Sequence, residues 1–328
     1  MTHPIKVAIA GYGNLGRGVE AALQQNTDMQ LVGVFSRRDP AGVTLLDAQV
    51  PVYAMADIQQ YQNDVDVMIL CGGSKTDLPE QGPYLAQFFN TVDSFDTHAK
   101  VNEYYDALDQ SAQKTGHVAM LSGGWDPGLF SINRLFGEAM LPEGETYTFW
   151  GKGLSQGHSD AVRRVPGVKR GVQYTLPSDA AIARVRSGEQ PTLSTREKHV
   201  RECFVVLKDG ADEATVRDSI VTMPDYFADF DTVVNFIDEA TFDKDHRHMP
   251  HGGFVIRSGV TGQSNTQTIE YSLALGSNPE FTASVLVAYA RAVHRLAGAG
   301  EVGARTVFDI APGLLSPKDP AQLRKELL

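Results

Sequence analysis

The chain has 328 residues, room for two compact domains, and its 42% hydrophobic and 21% charged content argues against disorder. A formal net charge of −11 disfavours nucleic-acid binding, which needs a concentrated basic face, although clustered arginines can still hold an anion. No apolar run reaches the roughly 18 residues of a membrane helix, and the N-terminus enters a strand at once, so a cytoplasmic protein without a membrane partner is expected.

Residues 5–125 alternate short apolar runs with helical segments. IKVAIA, MQLVGVFS, VDVMILC, FFNTVDSF and HVAML predict strands, and Leu15, Val19 and Ala22/Leu23 mark one face of a helix from Asn14 to Leu23. This alternation predicts a parallel sheet covered on both faces, the doubly wound α/β pattern. Gly11-Tyr12-Gly13-Asn14-Leu15-Gly16 falls between the first strand and its helix. Gly11 permits a tight turn, Gly13 lets the backbone approach a pyrophosphate, and Gly16 allows close packing. The helix N-terminus then offers free N–H groups to phosphate, which predicts a Rossmann-type dinucleotide site.

The next strand ends in Ser36-Arg37-Arg38, and the first acid is Asp39. A carboxylate there would accept from a free ribose 2′-OH and repel a 2′-phosphate, whereas guanidinium forks bind that phosphate. NADP is therefore expected rather than NAD, the plainer alternative being two solvated arginines. Cys71-Gly72-Gly73-Ser74 ends a further apolar strand and should face the cofactor, because ligands in such sheets lie beyond the carboxyl ends of the strands. Lys75 either reaches a phosphate or is a surface charge. Cys71 and Cys203 both lie in apolar runs and read as buried free thiols rather than a disulfide.

After Gly124 the pattern changes. TYTFWG, VKRGVQYTL, HVRECFVVL, TVVNFID, GFVIRSGV and TQTIEYSLAL predict longer strands with polar alternation, and SDAAIARVR and ADEATVRDSIV predict short helices between them. That reads as a second α+β domain on one largely antiparallel sheet, beginning at the turn near residues 123–127. FTASVLVAYARAVHRLA predicts a long helix before the tail.

Ten blocks, GYGNLGRGVE, VFSRR, TVDSFDTH, GGWDPGLFSINR, TFWGKGLSQGHSDAVRRVPGV, QYTLPS, MPDYF, VNFIDEATF, MPHGG and NPEFTAS, run in order through both domains. Together they resemble the meso-diaminopimelate D-dehydrogenase family. The resemblance implies NADP-dependent oxidative deamination at the D-centre of meso-2,6-diaminopimelate. The product would be L-2-amino-6-oxopimelate, which cyclises to tetrahydrodipicolinate; the reverse direction would serve lysine and peptidoglycan synthesis. It also implies a homodimer, an NADP-binding domain of residues 1–124 plus about 300–328, and a substrate-binding and dimerisation domain of residues 125–299.

Carried over residue by residue, the cofactor contacts would be Gly11, Tyr12, Gly13, Asn14, Leu15, Gly16, Ser36, Arg37, Arg38, Cys71, Gly72, Gly73, Ser74, Ser94, Phe95 and Asp96. Asp96 with Gly124, Trp125 and Asp126 would surround the D-amino-acid end, where the carboxylates of Asp96 and Asp126 can orient an ammonium group and take a proton. Trp150, Gln156, Gly157, Asp160, Thr175, Arg201, His251 and Asn278 would line the rest of the pocket. Arg201 suits a substrate carboxylate, because its planar fork offers two parallel donors.

Plainer roles compete residue by residue. Trp150 could be core, Asp160 could cap a helix AVRRV, and Arg201 could face solvent. His246, His248 and His251 lack the spacing of a metal site, so no metal is expected; His251 is read as a pocket residue and the others as exposed loop residues. Asp238 and Glu239, read as adjacent strand residues, would point to opposite faces. Rival functions are another NADP oxidoreductase of amino-acid metabolism and a non-catalytic NADP sensor. A thioester-forming dehydrogenase would need a reactive cysteine in the second domain, for which Cys203 fits poorly. Asp96, Asp126 and Arg201 argue against the sensor.

Overall fold

A computed structural model describes residues 3–328, except for the side chain of Gln156. β1 (Ile5–Ala10) is buried at five of six positions and runs into α1 (Asn14–Gln24), whose Val19, Ala22 and Leu23 face the core. β2 (Met29–Ser36) follows, then β3 (Val52–Ala54) and the fully buried β4 (Val67–Leu70). α2 (Leu78–Leu85), β5 (Thr91–Asp93), α3 (Val101–Thr115), β6 (Val118–Met120) and α4 (Leu129–Met140) complete this stretch. Strands buried on both faces are what parallel pairing under two layers of helix requires. Each fully buried Val, Ile or Leu contributes about 1.5–3 kcal/mol.

Next come β7 (Gly144–Trp150), β8 (Gly153–Leu154), α5 (Gln156–Arg163), β9 (Val168–Pro177), α6 (Asp179–Arg186) and α7 (Thr195–Lys198). They are followed by β10 (His199–Leu207), α8 (Glu213–Val221), β11 (Asp231–Phe236), α9 (Glu239–Asp245), β12 (His251–Thr261) and β13 (Asn265–Leu275). Two sheets form here, not the single one expected. One runs β11-β10-β9-β8 and the other β13-β12-β7. β10 and β11 pair in parallel, with α8 as the crossover that a parallel connection needs. Cys203, Val205, Val216, Ile220 and Phe227 lie in the core beneath the first sheet.

The chain then enters α10 (Asn278–Gly298), β14 (Gly303–Arg305) and α11 (Pro320–Leu327). β14 completes a seven-stranded parallel sheet in the order β14-β6-β5-β4-β1-β2-β3. Strand order reverses between β1 and β4, the switch point beyond which such sheets bind nucleotides.

The chain divides into a unit of residues 1–132 with 279–328 and a unit of residues 133–278. The boundaries expected from the sequence were 124 and about 300. α10 belongs to the first unit because Ala283, Leu286, Ala290 and Val293 share one core with Val7, Ile9 and Val19. It also crosses α1 at Gly18, where an added Cβ would lie 2.9 Å from that of Ala283. Among the described residues, no helix is long and apolar enough to cross a membrane.

Candidate active site

In the first unit, β1 is followed by Gly11, whose φ of +98° strongly favours glycine. Its N–H donates to the Phe35 carbonyl at 2.9 Å, tying the turn to β2. A Cβ on Gly16 would sit 2.4 Å from the Gly11 carbonyl oxygen, so Gly16 is required by the turn itself. Around Gly13 the space is open, with nothing within 4 Å of an added Cβ. Gly13 caps α1 without a side-chain hydrogen bond, and no acidic residue occupies the first turn. An uncapped helix start beside open space fits a pyrophosphate.

Asn14 and Leu15 begin the helix, and the Leu15 side chain packs towards the core. Tyr12 does not project into that space as a side chain. It is buried, and its hydroxyl donates to the buried Glu20 carboxylate, which also accepts the N–H groups of Leu46 and Asp47. Burial first, then Glu20, pushes the phenol up to about 12. Only the Tyr12 backbone remains for a cofactor, and its carbonyl accepts from Arg38 at 2.5 Å.

At the end of β2, Ser36 Oγ accepts the Arg38 N–H at 3.0 Å. Arg37 is largely exposed and pairs with Asp77 at 2.8 Å, a partner forty residues away that local reading missed. Asp77 also accepts the Gly73 N–H, and that bond first, then Arg37, holds its carboxyl below the usual range. The Cys71–Ser74 turn is thus folded onto the start of α2, and Lys75 is exposed. Beside it, a cavity of about 470 Å³ is lined by Arg37, Asp77, Gln81 and Tyr84 with an apolar wall of Met55, Ile58 and Leu85. Both thiols are free; Cys203 is buried and Cys71 half-buried, and burial pushes Cys203 up to about 12.

Beyond β5, Ser94 is half-buried, Phe95 is buried against Tyr104, and Asp96 is exposed, its N–H donating to Ser74 Oγ at 2.8 Å. Beyond β6, Gly124 and Trp125 are buried and Asp126 is half-buried. Trp125 meets Phe130 edge to face at 5.2 Å. Gly128 comes so close to Gly124 that a Cβ would overlap its carbonyl oxygen at 1.7 Å. Asp93, which sequence reading passed over, is fully buried between these turns and pushed up to about 6 by burial. Its only sequence signal is a carboxylate ending an apolar strand.

In the second unit, cross-strand register aligns Gly153, Thr175 and Arg201 on β8, β9 and β10. Arg201 is half-buried, not solvent-facing. Its guanidinium donates to Thr175 Oγ1 and lies 3.8 Å from the centre of the Phe230 ring, while Nε is buried with no partner among the described residues. Burial lowers it to about 10, so it stays charged at neutral pH. Burial first, then Arg201, pushes His158 and His199 each down to about 4, leaving the neighbouring imidazoles neutral. A desolvated cation beside neutral imidazoles suits a carboxylate.

Trp150 is not core: it is 37% exposed, stacks on His199 at 5.3 Å, and its backbone N–H donates to His199 Nε2 at 2.9 Å. The His251 ring occupies the space a Gly153 Cβ would need, with Nδ1 2.4 Å from it. Gln156 opens α5, but its side chain lies outside the described residues; Gly157 is open around its Cα. Ser155, not Asp160, caps α5, because Asp160 lies inside the helix and pairs with Arg163. Asn278 begins α10 and donates its N–H to the Met249 carbonyl at 2.9 Å.

Asp238 and Glu239 are not strand neighbours. Asp238 caps α9, and Glu239 opens it and pairs with Lys169. His246 is not an exposed loop residue, since it packs on Phe204 and bonds the Tyr174 hydroxyl at 2.9 Å; His248 is exposed. Among the described residues, no group of three or more His, Cys, Asp or Glu could hold a metal ion.

Residues 124–277 match the model of the diaminopimelic acid dehydrogenase C-terminal domain. The chain is 65% identical to the meso-diaminopimelate D-dehydrogenase of Lysinibacillus sphaericus, over 99% of both chains. Among solved structures, Corynebacterium glutamicum DAP dehydrogenase in complex with DAP is 50% identical over 100% of both chains, with a TM-score of 0.90. An engineered D-amino acid dehydrogenase bound to NADP+ is 49% identical over 99% of this chain and 100% of that one, with a TM-score of 0.85.

Proposed function

Because the chain belongs to the meso-diaminopimelate D-dehydrogenase family, we propose that it carries out NADP-dependent oxidative deamination of meso-2,6-diaminopimelate at the D-centre. The observation that carries this reading is the 65% identity over 99% of both chains. The geometry supports it from both sides. An open, uncapped helix start at Gly13 suits a pyrophosphate, and Arg37 and Arg38 suit the 2′-phosphate that distinguishes NADP.

When bound, NADP supplies the hydride acceptor. Asp96 and Asp126 orient the D-centre ammonium and take its proton, since hydride leaves carbon only when the nitrogen lone pair can form the imine. Water then adds to the imine carbon, the C–N bond breaks, ammonia leaves, and 2-amino-6-oxopimelate remains. Arg201 and Thr175 bind a substrate carboxylate, with Trp150, Gln156, Gly157, Asp160, His251 and Asn278 in the same pocket. Trp125 and the Gly124 backbone shape the D-end.

The reading extends to a cytoplasmic homodimer. α4 exposes Leu135, Phe136 and Met140, and β13 is exposed at eight of its eleven positions, a surface suited to pairing through the second unit. NADP+ and NAD+ reduction with separated diaminopimelate stereoisomers tests the assignment. Turnover of the meso isomer with NADP+ is expected. An inert meso isomer, equal rates with the L,L isomer, or preference for NAD+ would overturn it.

A further inference from the structure

The β5–β6 ladder stops at Thr91–Ala119 and Val92–Met120. Beyond it the two chains part, one towards Asp96 and the other towards Trp125 and Asp126, and no sheet hydrogen bond holds them in register. Asp93 stands at this point with no solvent exposure. Its Oδ1 accepts the N–H of Phe95 at 2.9 Å and, across the gap, the N–H of Ser122 at 3.2 Å. Its own carbonyl accepts the Gly123 N–H at 2.8 Å, and the Ser122 hydroxyl returns a bond to the Phe95 carbonyl at 2.8 Å.

Three of these bonds cross between the turns. They carry the ladder one step past its end and depend on Ser122 holding a φ of +57°, which L-residues rarely adopt. Tyr104 fixes the carboxylate from behind, donating to Oδ2 at 2.6 Å while its ring stacks on Phe95 at 4.1 Å. The Asp96 N–H then bonds Ser74, joining the glycine-rich turn after β4 to the same frame.

We infer that Asp93, with Ser122 and Tyr104, is a positioning residue for the reaction: its buried carboxylate holds the turn of Asp96 and the turn of Trp125–Asp126 in one register. This rests on the reading of those turns as the D-centre site. It touches no reacting atom. A carboxylate is suited here because one oxygen can serve two backbone N–H groups while the other receives a phenol. An Asn at this position keeps an oxygen for the two N–H groups but removes the charge that strengthens both bonds and turns a donor towards the Tyr104 hydroxyl, so the anchor common to the turns is weakened. Displacing a reacting group by about 1 Å costs on the order of 100-fold in rate.

The test uses the full-length protein and the variants Asp93→Asn and Ser122→Ala, the second removing only one hydroxyl. Each should lower kcat with meso-diaminopimelate by about 10- to 100-fold while the NADP+ Kd changes less than twofold. The deuterium isotope effect on kcat, read with substrate labelled at the D-centre, should rise, because hydride transfer becomes slower than product release. A merely structural role would lower the melting temperature or the NADP+-binding fraction and leave kcat per bound site and the isotope effect unchanged. If Asp93→Asn fails to fold, Ser122→Ala decides. An active wild type with a variant at wild-type kcat overturns this inference alone, whereas a wild type inert with the meso isomer removes the functional reading beneath it.

Discussion

Gly13 and Gly16 lie three residues apart in one motif, yet the structure assigns them opposite kinds of intolerance. At Gly16 a methyl group would be placed 2.4 Å from the Gly11 carbonyl oxygen, a backbone atom that cannot swing aside. At Gly13 nothing stands within 4 Å of it, and φ is −101°, which L-residues adopt. Gly13→Ala should therefore fold with an unchanged melting temperature, its methyl filling only the open space proposed for phosphate. A hydrogen bond to a charged group contributes about 1.5–3 kcal/mol, so displacing the pyrophosphate from one or two N–H groups costs about 2–3 kcal/mol, or roughly 30- to 150-fold in NADP+ Kd. Gly16→Ala should lose about 1–3 kcal/mol of stability by overpacking and weaken NADP+ as well. Thermal melting without cofactor and NADP+ titration of both variants make the comparison. An NADP+ Kd for Gly13→Ala within threefold of wild type would refute the placement of phosphate at this helix start.

Arg37→Ala together with Arg38→Ala should raise the KM for NADP+ by at least tenfold and leave that for diaminopimelate within twofold, as initial-rate kinetics will report; an unchanged NADP+ KM would show that the strand end was misread. Arg201→Lys keeps the charge but loses the fork and the Phe230 stacking, so the diaminopimelate KM should rise about tenfold or more with little change for NADP+. The folded pKa of Asp93, about 6, lies above the usual carboxylate value, so its ionisation opposes folding and stability falls as pH rises through that range. Relative to wild type, Asp93→Asn should gain about 3 kcal/mol in denaturant unfolding between pH 4 and pH 7. His199 has the opposite sign: its folded pKa of about 4 lies below that of a free imidazole, so its contribution is present above about pH 6.5 and lost as pH falls towards 4. His199→Gln should flatten that acid-side loss by about 3 kcal/mol, and an unaltered pH profile would contradict the burial argument.

What could be read from the chain, and what could not, follows from the range of the forces involved. β1, α1 and β2 are legible because an apolar run, a glycine turn and a 3.6-residue stripe are local signals. β3, β8 and β14 have two or three residues each, too few to show a period, and are strands only because a neighbour supplies the ladder. Alternation in the second half reported which residues share a face but not which strand lies alongside, so two sheets read as one. The placing of α10 meets a similar limit. The apolar face of α10 announces a helix that must be covered, and only the fold shows that it is covered by β1 and α1, more than 250 residues earlier.

The same limit separates the candidate residues that the sequence singles out from those that it does not. Arg37 and Arg38 are recognisable because their meaning lies in their offset from the glycine turn. Asp77, which holds Arg37, carries no such offset. Glu20 and Asp93 resemble surface acids in the sequence, but their acceptor oxygens are filled by N–H groups 26 to 29 residues away, as well as by nearer ones. Burying a carboxylate is unfavourable unless those donors arrive together. Its occurrence at the end of β5 therefore marks a place where backbone geometry, rather than stability, governs the residue. That is why Asp93→Asn should separate the two, gaining stability as the pH rises while turnover falls.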